Sequence, residues 1–400
     1  MSGLNILQII PRIPAPPIDG GAIYIYHITK ELAHLGHHVT QLAFESNRHP
    51  QDTQMIREFA TIESIPVDFR SYSLGAAFRS LYTRLPITVQ HRMDKSKMQI
   101  LLDRVKNQSF DRILIEGIHA AFFIPDIRET FPGVPIILRQ SNVEHLVLER
   151  NSIIATNPFV SWFYKRQAIL MHRFEKQAMN AVDGVTAISN YDRSYFFKDT
   201  NDLKCEVIPA GAYLPKLRDI QRESETIVAI SNWKWFPNLQ GIEWFVEKVW
   251  PILKKDHVFL KLQIAGHGLP NHLASTFRNQ EIEYLGFVDD IEGLRQKSIL
   301  MIAPLFSGSG MKLKVLESLA SGLPVITTSL GAQGIDMEPE THYLEANNTH
   351  QFADQIIRLL NDQSLQKNLS LNGRNLIRDK YLWETQAKKL ESFLQSFTKN

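Results

Sequence analysis

The sequence predicts an α/β protein made of two doubly wound, parallel-sheet halves. Short apolar runs alternate with longer segments of helical periodicity along the whole chain. That order gives βαβ units and a parallel sheet. The alternation breaks at one polar stretch, AGAYLPKLRDIQRESE, and restarts at TIVAIS. A length of 400 residues suits two domains. The expected domains are 1–211 and 225–380, with a linker near 212–224.

The first half opens on a buried-strand pattern, Asn5 to Ile10. A Pro-rich loop leads to Gly20-Gly21, then to a helical segment, Ile23 to Leu35, that stops at Gly36. Glycines at a helix start admit a phosphate or sugar close to the backbone. An ordinary connecting loop explains the same residues, and both readings stay open. No G-x-G-x-x-G is present, so the dinucleotide fingerprint is absent. His38 to Phe44 is the next strand, and Ile65 to Tyr72 the expected one after it.

Residues 73–108 carry Arg79, Arg84, Arg92, Lys95, Lys97, Arg104 and Lys106, with only Asp94 and Asp103 among them. They form either a basic face for anionic lipid or acceptor, or ordinary solvated helix faces. Strands Asp111 to Glu116 and Val134 to Arg139 run into GIH and QSNVEH. His119, Asn142, Glu144 and His145 therefore stand at or just beyond strand C-termini, the edge where open parallel sheets bind ligands. Structural histidines occur in such places too. Residues 146–182 read as helix, with aromatics and bases concentrated in WFYKRQAILMHRFEK at 162–176. Strands Gly184 to Ser189 and Glu206 to Pro209 close this half.

The second half runs TIVAIS, loop SNWKWFPN, helix LQGIEWFVEKVWPIL, strand LKLQIAG and strand IEYLGFV, which ends in Asp289-Asp290. Trp233 and Trp235 in the loop read as packing residues before base-stacking ones. A strand, Ile299 to Leu305, then enters a loop with Gly308 and Gly310. A helix follows with Leu313, Leu316, Leu319 and Ala320 on one face, capped by Gly322, and Val325 to Thr328 is the next strand. Strand HYLEA, helices at about 350–362 and 364–379 and a last helix from Trp383 to Phe393 complete the chain. A helix N-terminus binds anions through its free N–H groups and its dipole. Lys312 and Lys314 sit where that dipole disfavours cations, which points to a bound anion. The plainer reading is a loop with solvated lysines and a Lys314–Glu317 surface pair.

PLFSGSGMKLKVLESLASGLPVITT resembles the donor-binding segment of retaining glycosyltransferases of family 4, which have the GT-B fold. The resemblance implies two Rossmann-like domains facing a cleft, with the helix at about 381–400 packed back on the first. It implies that Glu317 holds the ribose of a nucleotide-sugar. The family's usual first Glu is replaced by Ser309; a G-x-G-x-[RK]-x-K-x-x-E version of the motif matches Lys312, Lys314 and Glu317. RQSNVEH is similar to the family's R-x-H-N-x-E-H, and His119 matches its cleft-facing histidine. The Gly20-Gly21 loop matches its cleft loop. Lys234 matches its diphosphate-gripping loop, and Phe287 and Val288 its base-binding turn. The implied catalytic residues are His119, Lys312 and Lys314. The implied donor site is Gly20, Gly21, Lys234, Phe287, Val288, Ser309, Gly310, Met311 and Glu317.

A net charge of +2 argues against a nucleic-acid binder, and the lone Cys205 excludes an intrachain disulfide. With no signal-peptide pattern and no spanning apolar run, a cytoplasmic chain is expected, at most peripheral on the cytoplasmic face of a membrane. No Asp-x-Asp pair suggests a metal, and no cofactor is expected beyond the donor itself. The expected partners are a nucleoside-diphosphate sugar and a glycan or lipid-linked acceptor. The expected function is retaining glycosyl transfer in polysaccharide or glycoconjugate biosynthesis. A non-catalytic nucleotide-sugar- or glycan-binding subunit and a UDP-sugar epimerase of GT-B fold remain the alternatives.

Overall fold

The computed structural model describes residues 3–46, 50–68, 74–92, 94–196, 203–218, 225–308 and 310–398. The chain forms two compact units, one of Met1–Pro209 with Trp383–Asn400, the other of Ala210–Leu382. Each is built on a parallel sheet with helices in the crossovers, the α/β architecture expected from the strand–helix alternation.

The first sheet holds β1 (Asn5–Ile10), β2 (His38–Glu45), β3 (Thr61–Pro66), β4 (Arg112–Glu116), β5 (Ile136–Gln140), β6 (Gly184–Ala187) and β7 (Lys204–Val207). Their order is β3-β2-β1-β4-β5-β6-β7. The strand order reverses between β1 and β4, and this switch point opens a crevice at their C-terminal ends. The strands are apolar runs because helices cover both faces. Ile6, Leu7, Ile9 and Ile10 of β1 are all fully buried. The helix Trp383–Gln395 belongs to this unit: Ala387, Leu390 and Leu394 pack with Ile6, Ile28 and Leu32. Arg112 Nε fastens it by donating to the Leu394 carbonyl at 2.6 Å.

The second sheet holds β8 (Thr226–Ile230), β9 (Lys261–Ala265), β10 (Ile282–Gly286), β11 (Leu300–Ala303), β12 (Val325–Thr327) and β13 (Leu344–Glu345), in the order β10-β9-β8-β11-β12-β13. Its switch point lies between β8 and β11. The loops that leave those two strands are the SNWKWFPN loop and the glycine loop before Lys312.

Three elements differ from expectation. β3 is Thr61–Pro66 rather than Ile65 to Tyr72, whose residues 69–72 lie outside the described residues. Its alternation of Ile with Glu63 and Ser64 hides it from a search for apolar runs. The helix expected over LQGIEWFVEKVWPIL is three pieces: Phe236–Trp244, a π-helical turn Phe245–Val249, and Trp250–Asp256. Pro251 has no N–H to give the ladder, so the pitch changes just before it. The helical stretch expected over 146–182 consists of two helices, Glu144–Ile154 and Pro158–Asn180. Asn157 starts the second, its side chain accepting from the Phe159 and Val160 amides. HYLEA shrinks to the two residues of β13.

The basic stretch 73–108 is also less bare than its sequence suggests. Lys95 pairs with Asp126, Arg104 with Glu63, and Lys106 with Asp103. Lys97 donates to the Pro66 carbonyl. Two of the ion-pair partners, Asp126 and Glu63, come from outside the segment.

Candidate functional site

In the second unit, the loop 304–312 leaves β11 and feeds the helix Leu313–Ala320. Gly308 and Gly310 have φ of 98° and 73°, a region that other residues enter at a cost. Gly308 also lies against the Trp235 indole: a Cβ there would stand 2.8 Å from the ring. Trp235 therefore props the loop, while Trp233 is buried and donates through Nε1 to the Ala265 carbonyl at 3.0 Å. Ser309 lies outside the described residues.

Lys312 is the residue before the helix, not part of its first turn, and no side chain caps this N-terminus. It is buried, with Nζ donating to the Gly310 carbonyl at 2.5 Å. Lys314 donates to Ser231 Oγ at 2.8 Å and to Asn238 Oδ1 at 2.7 Å. Burial, and then the neighbouring Lys312 charge, push its pKa down to about 7. The plainer sequence reading, solvated lysines and a Lys314–Glu317 pair, is thus overturned. Glu317 instead accepts from Arg295, a buried residue of the helix Ile291–Lys297. The chemical result is two ammonium groups and uncapped helix N–H groups at one switch point, with a carboxylate farther along the same helix.

The other expected donor residues of this unit lie around β8, β9 and β10. Lys234 is exposed, its stem packed over Gly268. Phe287 follows β10 and is largely exposed, Val288 is half-buried beside it, and Met311 is half-buried next to Lys312. The Asp289-Asp290 pair serves structure: Asp290 caps the helix Ile291–Lys297 and pairs with Arg218.

In the first unit, a cavity of about 170 Å³ opens at the β1/β4 switch point. Gly21, His119, Asn142 and Glu144 line it, together with Arg12 and Arg139. Gly20 opens the helix Gly20–His34, whose N-cap Asp19 holds Arg12. His119 is placed by a 3₁₀ turn, Ile118–Phe123, entered through Gly117 at φ 77°. Below the cavity a buried polar chain crosses four strands, β2, β1, β4 and β5. Gln41 donates to Gln8 at 2.8 Å, Gln8 to Glu116 at 2.6 Å, and Arg139 to Glu116 at 2.5 Å. The Arg139 guanidinium lies 4.5 Å from the centre of the Tyr24 ring. Gln140 Nε2 is buried without an acceptor among the described residues. Sequence reasoning missed this chain; polar Gln8 inside an otherwise apolar strand was its one visible sign.

His145 takes no part in lining the cavity. Its Nδ1 lies 2.5 Å from Glu175 Oε2, and Glu175 Oε1 accepts from the Glu144 and His145 amides. With His172 these residues bring three ligand-type atoms within 4.8 Å of one another. Glu175 is already accounted for, because it closes the N-terminus of the helix Glu144–Ile154.

Both units match models of one enzyme family. Residues 18–214 match "Glycosyltransferase Family 4" and residues 224–362 match "Glycosyl transferases group 1". The chain belongs to glycosyltransferase family 4. This glycosyltransferase is 22% identical over 396 residues to an uncharacterized 44.6 kDa protein in the cps region of Klebsiella pneumoniae, covering 94% of this chain and 96% of that one. Its fold is that of sucrose-phosphate synthase from Thermosynechococcus elongatus, with a TM-score of 0.71, 16% identity and 98% of both chains covered. It also matches Anabaena HepE in complex with UDP and glucose, with a TM-score of 0.66, 14% identity, and 98% and 100% of the two chains covered.

Proposed function

We propose that this glycosyltransferase moves a sugar, with retention at the anomeric carbon, from a nucleoside-diphosphate sugar to a glycan or lipid-linked acceptor. The observation that carries the reading is the Lys312–Lys314 pair at the uncapped helix start, with Lys314 pushed down to about 7. Two adjacent ammonium groups repel, and a diphosphate between them and the helix N–H groups relieves that repulsion. The UDP held by HepE supports a nucleotide of this kind, and the cps-region relative supports a polysaccharide setting.

In this reading Lys312, Lys314 and the backbone around Gly310 hold the diphosphate, and Lys234 adds charge. Glu317 accepts from the ribose, and the backbone of Phe287 and Val288 meets the base. The family resemblance assigns His119 and the Gly20-Gly21 loop to the transferred sugar. The bond from the anomeric carbon to the β-phosphate oxygen breaks. A bond to the acceptor oxygen forms on the same face, and the acceptor proton passes to the departing phosphate. Charge growing on that phosphate is stabilised by the two lysines, so the reading includes no resident metal or cofactor.

The test is a thermal-shift screen against nucleoside diphosphates and their sugars. A ligand at a hundred times its Kd stabilises the native state by about 2.7 kcal/mol. The best donor should then release nucleoside diphosphate when acceptor is added. His119→Ala should lower kcat while leaving the affinity for nucleoside diphosphate in place. A chain that no nucleoside diphosphate stabilises overturns the reading. Binding without release, with every acceptor tried, makes it a nucleotide-sugar-binding subunit instead.

A further inference from the structure

The helices Glu144–Ile154 and Pro158–Asn180 pack side by side and meet in a short turn. That turn is well fastened. Asn157 caps the second helix, and Ser161 Oγ donates to the Ser152 carbonyl at 2.6 Å. Large apolar side chains are nevertheless held outward there: Ile153 is 77% exposed, Phe159 84% and Trp162 57%, with Ile154 and Val160 beside them. A cluster of this kind on a rigid support marks a contact surface.

Cationic side chains stand behind the tip. Along the second helix Trp162, Lys165, Ile169, Arg173 and Lys176 follow at three- and four-residue steps, so they share one face. All five are exposed. The only acid of this helix, Glu175, is buried and turned to His145. The exposed stripe is therefore apolar at its tip and cationic behind it. The neighbouring helix Leu74–Thr83, tied on by a 3.0 Å bond between Gln167 and Ser80, adds Tyr82 at 90% exposure.

We propose that this hairpin tip docks on an anionic lipid surface. Phe159 and Trp162 enter the headgroup boundary, and Lys165 and Arg173 meet lipid phosphates. Tryptophan and lysine suit this boundary because each joins an apolar body to a polar end. Neither the few apolar side chains nor the few cations suffice alone; the two together give reversible binding. A second copy of the chain fits the surface poorly, because a twofold contact would bring the cations against their own images. None of the described helices is long and apolar enough to cross a membrane, so the contact is peripheral. It explains exposed residues that donor chemistry leaves without a role.

The test is co-sedimentation of the full chain with vesicles of phosphatidylcholine alone and of phosphatidylcholine with phosphatidylglycerol. The wild-type chain should pellet with the anionic vesicles only, and less so as salt rises. Phe159→Ser with Trp162→Ala should abolish pelleting. Lys165→Glu with Arg173→Glu should weaken it by well over the roughly fivefold expected for loss of a single cation. All four positions are exposed, so the variants should melt like the wild type and keep its nucleoside-diphosphate shift, which separates this surface from the donor site. Absence of pelleting at low salt overturns the proposal, as does equal pelleting with neutral vesicles or by the variants. Sedimentation velocity showing a dimer that Phe159→Ser with Trp162→Ala dissociates also overturns it, in favour of a face between copies.

Discussion

Arg295 donates through Nη2 to Oε2 of Glu317, from a guanidinium-bearing side chain only 8% exposed. Glu292 lies 3.7 Å from its Nη1 and itself accepts from Ser321 Oγ at 2.8 Å. One oxygen of Glu317 is thus fixed by the neighbouring helix. In the proposed reading Oε1, which takes no hydrogen bond among the described residues, accepts from the ribose hydroxyls. Arg295 is a positioning residue in this arrangement. Glu317→Gln removes the charge from a hydrogen bond worth ~1.5–3 kcal/mol, or roughly 10- to 150-fold in nucleoside-diphosphate affinity. Arg295→Lys keeps the charge but loses the planar fork and should weaken binding less. The two losses should not add: with Glu317→Gln already present, Arg295→Lys should cost little more. Calorimetric titration of the four proteins measures this, and additive losses would show that Arg295 does not act through Glu317.

The second prediction concerns pH. Lys314 titrates at about 7 in the folded chain, against an ordinary 10.5. Between those values the unfolded chain binds a proton that the folded chain does not. The contribution of this lysine to stability therefore rises with pH across the window, and below it the folded chain bears the full cost of the buried charge. A diphosphate favours the charged form. Above pH 7 its binding must take up a proton, so affinity should fall by up to about tenfold per pH unit. Titrations in two buffers of different ionisation enthalpy should show that uptake. Lys314→Gln should bind more weakly and lose the pH slope. A wild-type affinity that is flat from pH 6.5 to 9 would rule out a diphosphate at Lys314.

Parallel sheets covered on both faces write themselves into sequence as apolar runs, which is why β1, β4, β5, β8 and β11 were legible. β3 was not, because half of its face is polar, and HYLEA marked β13 but overstated its length. The lysines and Glu317 were legible as a local motif within one loop and helix. Their partners were not. Ser231 is 83 residues from Lys314, and Arg295 is 22 from Glu317. Strand order brings them together, and no local spacing encodes that order. The same holds for Gln8 and Glu116, which lie 108 residues apart and meet because β1 and β4 are neighbours.

That last pair gives a prediction about folding. Glu116 is buried and accepts from both Gln8 and Arg139. Burial works against the Arg139 charge, but Glu116 and Tyr24 outweigh it and hold its pKa above the usual arginine value. Glu116→Gln leaves that guanidinium in the interior without its counter-charge. Breaking a buried pair on one side costs about 3–5 kcal/mol, whereas replacing both partners with apolar residues of similar size costs far less. Glu116→Gln should therefore destabilise the first unit severely, and Glu116→Met with Arg139→Met should recover most of the loss. A two-unit chain need not unfold in one step, so a single melting temperature is a poor measure. Amide hydrogen exchange reads each sheet separately. In Glu116→Gln, β1, β4 and β5 should exchange faster while β8 and β11 keep their wild-type protection. Unchanged protection in β4 and β5 would mean that the Arg139 charge is not held by Glu116, and the buried chain beneath the cavity would lose its structural role.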